Sequence, residues 1–134
     1  YYVRFAAGQP VQLLLSDECF MSGEEAPLAL TDGLLRLRHG LFDHDALVLR
    51  NTGGAVTLFS PKGSRSVTLR HEQLPYLGLW HTPKTRAPFV CLEPWMAPPA
   101  RQDMVEELAE KPGTLSLEPG ARHEITWSIT LDEG

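Results

Sequence analysis

Hydrophobic and polar positions alternate with period two along most of the 134 residues. In "VQLLLSD", Val11, Leu13 and Leu15 fall on one face, and in "LLRLRHG" Leu35 and Leu37 alternate with Arg36 and Arg38. "DALVLRN" closes on the turn signal "NTGG", and "AVTLFS" closes on "PKGS". "SVTLRHE", "PYLGLW" and "PFVCLE" follow as further strands, and "TLSL" and "EITWSITL" flank a turn at "EPGAR". In the last of these Ile125, Trp127, Ile129 and Leu131 share one face, which reads Trp127 as a core residue. Short strands at roughly ten-residue spacing, divided by Gly and Pro, predict an all-β antiparallel sandwich or barrel. One segment departs from this. "RQDMVEELAEK" spaces Met104 and Leu108 four apart, sets Glu107 against Lys111, and ends at Pro112-Gly113, so a helix is predicted there.

The length suits one domain with a real core, which makes 1–134 a single β-sandwich portion. The chain opens at "YYVRF" without Met and with Val3 and Phe5 already alternating, which reads as a strand inside a longer polypeptide. A hydrophobic fraction of 43% with 22% charged residues is ordinary for a globular protein. Twelve basic against seventeen acidic residues argue against nucleic acid or an anionic membrane as partner, since both require a basic surface. Cys19 and Cys91 lack metal or CxxC spacing and sit among apolar neighbours; they read as buried free thiols of a reducing cytoplasm, a disulfide between them being the alternative.

The familiar catalytic motifs are absent: no GxSxG, HExxH, phosphate loop or dinucleotide fingerprint. His39, His44, His71, His81 and His123 are scattered and read as exposed or loop residues, so no metal centre is expected. Two acidic sites are more informative. Asp43 and Asp45 stand where a turn hands over to an apolar strand, where Asp commonly bonds backbone amides. Glu93 follows Phe89–Leu92 and precedes Pro94, so it reads as a carboxylate at the end of a buried strand. It is either paired with an arginine, Arg86 or Arg101 being the candidates, or put to use. Trp80 and Trp95 each close a strand before a proline-containing loop, and flat aromatic faces beside carboxylates suit a sugar.

Three blocks, "FDHDALVLRN", "LPYLGLWHTPKTRAPFVCLEPW" and "EKPGTLSLEPGARHEITWSITL", resemble the C-terminal half of the aldose 1-epimerase (galactose mutarotase) family, its bacterial branch in particular. The resemblance runs from about Leu41 to Leu131 and implies a galactose mutarotase-like β-sandwich, here partial, without the N-terminal half. It further implies interconversion of the α and β anomers of a galactose- or glucose-type hexose by ring opening, with no cofactor. Glu93 matches the general base and Asp45 the substrate-binding aspartate with Asp43 as fallback, while Trp80 and Trp95 stay sugar-binding candidates on their aromatic character. The family's acid histidines lie upstream of the matched blocks, so the acid is expected outside this chain, and the missing half is the expected partner. Other readings are a non-catalytic carbohydrate-binding or sensor module, a hexose-6-phosphate 1-epimerase, and a structural domain with Glu93 neutralised by an arginine.

Overall fold

The computed structural model describes residues 1–17, 19–102 and 104–133. Its strands are β1 (Tyr2–Phe5), β2 (Gln12–Asp17), β3 (Phe20–Pro27), β4 (Leu34–Arg36), β5 (Leu47–Arg50), β6 (Ala55–Phe59), β7 (Ser66–Arg70), β8 (Tyr76–Trp80), β9 (Cys91–Trp95) and β10 (Ser128–Asp132). A 3₁₀ turn, His39–Phe42, leads towards β5. Two five-stranded sheets result, ordered β10-β7-β6-β1-β4 and β3-β2-β5-β8-β9, with antiparallel pairing between neighbours. The predicted all-β sandwich is therefore the observed one.

Alternation explains the layering. Val3, Leu35, Val56 and Leu69 from the first sheet meet Leu49, Leu77 and Leu79 from the second, and Val11 and Phe42 complete the buried core. Leu13 packs on that core, whereas Leu14 is buried on the opposite face of the second sheet with Met21 and Val48. A register shift between Leu14 and Ser16 breaks the simple alternation expected for β2. Between β5 and β6 the "NTGG" turn requires glycine. Gly53 has φ +76°, and a Cβ there would lie 2.3 Å from the Ala6 carbonyl carbon.

The C-terminal third differs from its prediction. No helix forms over "RQDMVEELAEK" among the described residues (Asp103 lies outside them); one turn closes as Glu110 and Lys111 donate to the Glu107 carbonyl. Met104, Val105 and Leu108 are exposed, and a short helix with no apolar face buried is marginal in water. "TLSL" makes no strand, and Leu115 and Leu117 are exposed. β10 pairs with β7 as an edge strand, but Ile125, Ile129, Leu131 and Trp127 are exposed, Trp127 by 54%. Trp127 is thus not a core residue. The alternation is real, but among the described residues nothing buries that face.

Cys19 is exposed, not buried, with its backbone at φ 68°; Cys91 is half-buried, and both thiols are free. His71 and His81 are buried rather than exposed. No helix among the described residues is long and apolar enough to cross a membrane.

Candidate functional site

β9 is the outer strand of the second sheet and pairs residue by residue with β8: Tyr76 opposite Trp95, Gly78 opposite Glu93, Trp80 opposite Cys91. Leu92 packs on the inter-sheet core, so Cys91, Glu93 and Trp95 project from the other face. Leu77 and Leu79 are likewise buried in the core, which places Tyr76, Gly78 and Trp80 beside them. One face of the sheet therefore carries Glu93 among Trp80, Cys91 and Trp95. Glu93 is at the centre of its strand, not at its end as expected. The strand starts only at Cys91, while Phe89 is 47% exposed ahead of it. Pro94 lies inside β9, which an edge strand tolerates.

Trp95 occupies the space that Gly78 leaves. A Cβ on Gly78 would lie 2.6 Å from Cζ2 and 2.8 Å from Cη2 of that indole. Trp95 also packs against the Leu14–Met21–Val48 cluster, and Val48 is the β5 partner of Gly78. The indole thus lies across β8 towards β5, directly beside the row that bears Glu93.

On the other side, Nε1 of Trp80 donates to Oδ1 of Asp45 at 2.8 Å. Asp45 has φ 85°, an uncommon backbone for a non-glycine residue, and sits two residues before β5. Its neighbour Asp43 is engaged differently. Its Oδ1 accepts the backbone N–H of Lys84 at 3.2 Å, which ties the turn before β5 to the loop between β8 and β9. The structure brings Trp80, Glu93 and Trp95 to neighbouring positions of the paired strands β8 and β9, joins Asp45, in the turn before β5, to Trp80, and gives Asp43 a loop-tethering role.

An ion pair joins Arg50 to Glu25 at 2.6 Å, on the same face two strands from Glu93. Arg86 makes no ion pair with Glu93. The Arg101 guanidinium lies over Gly23 in β3, at the far edge of the sheet from β9. Neutralisation by an arginine, the alternative weighed for Glu93, is not what the structure shows. Its carboxylate acts instead on Cys91. Burial, then the negative charge of Glu93, pushes the Cys91 thiol above its ordinary value, so it stays protonated near neutral pH.

A cavity of about 650 Å³ lies elsewhere, between the sheets, lined by Leu37, His39, Phe42, His81, Phe89 and Val90. None of Asp45, Trp80, Glu93 or Trp95 lines it. At its wall Nδ1 of His39 and Nε2 of His81 share a hydrogen bond of 2.9 Å, and the buried Nδ1 of His81 has no partner. His71 is held by Thr52 Oγ1 at 3.3 Å and the Leu74 carbonyl at 3.0 Å. The sequence offered no sign of the His39–His81 and Thr52–His71 pairings, because those partners are far apart in the chain. A smaller space of about 160 Å³ opens on the Glu93 face, beside Leu14, Met21, Tyr76 and Arg101. Among the described residues no three His, Cys, Asp or Glu side chains converge as a metal site.

The two sheets and their strand order define a galactose mutarotase-like β-sandwich. The likeness is to solved proteins of that kind. A galactose mutarotase-like protein from Lactobacillus casei ATCC 334 superposes with a TM-score of 0.87 at 25% identity, over 97% of this chain and 46% of its own. A galactose mutarotase related enzyme from Lactobacillus acidophilus gives 0.82 at 30% identity, over 97% of this chain and 44% of its own. In sequence, the chromosomal and plasmid LacX proteins of Lactococcus lactis subsp. lactis are each 29% identical over 109 residues, 81% of this chain and 36% of theirs. No family model matches. The resemblance read from the sequence is borne out, and the chain spans less than half the length of these relatives.

Proposed function

We propose that this chain contributes the base-bearing part of an aldose 1-epimerase acting on a neutral hexose. The observation that carries the reading is Glu93: a partly buried carboxylate, free of an arginine partner among the described residues, set on one sheet face between Trp95 and the Trp80–Asp45 pair. A base needs hydrogen-bond reach to the anomeric hydroxyl and a rigid mount, and the β8–β9 ladder supplies the mount. Asp45 accepts one bond from Trp80 and retains its other carboxylate oxygen for a sugar hydroxyl. Glu93 takes the anomeric proton, an acid protonates the ring oxygen, the ring opens, and closure on the other face gives the other anomer.

The acid comes from outside this chain, in the remainder of the protein. His39 and His81 bond to each other between the sheets, and His71 is bound to Thr52 and Leu74. The 6-phosphate variant of the reaction ranks lower, since Arg50, on the Glu93 face, is already tied to Glu25 and no Arg/Lys cluster in the sequence marks a phosphate clamp. Two free thiols suit a reducing cytoplasm.

The test is anomeric exchange of galactose and glucose, followed by NMR in the whole protein. The wild type is expected to accelerate exchange and Glu93→Gln to lose at least about a hundredfold of that rate. An unchanged rate in the variant would remove Glu93 as the base. Sugar binding without any exchange would identify a binding module instead.

A further inference from the structure

We infer that Gly78 is a positioning residue for the sugar site: its missing side chain lets Trp95 lie across β8 as the floor on which the sugar ring rests beside Glu93. The inference deepens the hexose reading above and rests on it.

Three observations converge. Gly78 is the residue directly opposite Glu93 in the β8–β9 ladder. The Trp95 indole fills the position of the absent Cβ, with Cζ2, Cη2 and Cε2 at 2.6, 2.8 and 3.1 Å from it. Trp95 also packs against the Val48, Leu14 and Met21 cluster, while the residue stays only partly buried. Any side chain at position 78 must displace the ring, because real Cβ atoms essentially never approach within 3.0 Å of such atoms. The displaced indole would stand up from the sheet beside the carboxylate. A ring lying flat offers its face to the C–H surface of a pyranose, whereas an upright ring blocks that surface. Gly78 thereby acts through Trp95. It touches no reacting atom and is a positioning residue, expected to affect sugar affinity far more than the chemical step.

The experiment uses the whole protein with Gly78→Ala, Trp95→Leu and the double variant. Galactose affinity is read from tryptophan fluorescence and KM and kcat from anomeric exchange. Gly78→Ala is expected to raise Kd and KM about tenfold, with a much smaller change in kcat. Glu93→Gln should do the reverse, losing kcat and keeping affinity. If the methyl added by Gly78→Ala acts through Trp95, the double variant binds as Trp95→Leu alone does. The smaller side chain introduced by Trp95→Leu also leaves room for that methyl, should Gly78→Ala alone fold poorly. Wild-type affinity in Gly78→Ala, or effects that add in the double variant, overturns the inference while leaving the epimerase reading intact. A wild-type protein that neither binds nor exchanges hexoses overturns both.

Discussion

The indole N–H of Trp80 donates to Oδ1 of Asp45 at 2.8 Å, fixing a carboxylate that stands on an uncommon backbone of φ 85°. The bond joins the last residue of β8 to the approach to β5, its neighbour in the sheet. Trp80→Phe keeps an aromatic ring and removes only the donor. Hydrogen bonds to charged groups contribute about 1.5–3 kcal/mol, so the variant should unfold at lower denaturant and bind sugar about tenfold more weakly. Urea titration and fluorescence binding check the two effects. Unchanged affinity with lowered stability would confine the pair to a structural role.

Glu93 presents the opposite profile. With no ion pair to lose among the described residues, Glu93→Gln should leave stability within about 0.5 kcal/mol of wild type while exchange collapses. A denaturation midpoint shifted well beyond that range would mean that the carboxylate holds the sheet together rather than serving a substrate.

Cys91 reports on the same carboxylate. Its thiol is pushed up by burial and then by the charge of Glu93, so at pH 8 it should react with iodoacetamide more slowly than the exposed Cys19. Replacing Glu93 by Gln removes the like charge, lowers the Cys91 value and speeds alkylation, which mass spectrometry of the two peptides would show. The sign of the linkage follows. Because the fold holds this proton more tightly than the unfolded chain, the contribution to stability is complete below the ordinary thiol range and is lost as pH rises through the raised folded value.

His81 is 2% exposed and bonded through Nε2 to His39. Removing that partner by His39→Ala leaves both ring nitrogens of His81 buried and unbonded, at an expected cost of about 1–3 kcal/mol. Chemical denaturation of the variant measures it. A change below about 0.5 kcal/mol would show that water reaches the ring.

Much of this architecture was legible in the sequence because alternation is local. The runs that became β5, β6, β7 and β8 carry their own pattern and their own Gly or Pro punctuation. Glu93 and the two tryptophans could be singled out for the same reason. What sequence does not display is register across strands. That Trp80 faces Asp45, that Gly78 rather than a bulky residue lies opposite Glu93, and that His39 meets His81 are products of pairing between distant segments. The C-terminal third shows a different limit. Ile125, Trp127, Ile129 and Leu131 have the period of a buried face, but a period shows which residues share a face, not what covers it. "RQDMVEELAEK" has a helical period and a stop signal, but its Met104, Val105 and Leu108 stay exposed.

Pro94 has a consequence for how the molecule behaves in a crowded solution. An exposed sheet edge offers a row of donors and acceptors on which a neighbouring chain can nucleate an intermolecular sheet. Proline donates nothing to such a row, and in β9 it stands next to Glu93, whose charge would also have to be stripped of water by any incoming strand. The strand that carries the proposed base is thus poorly suited to template aggregation, and it can remain accessible to a small solute without inviting a larger one.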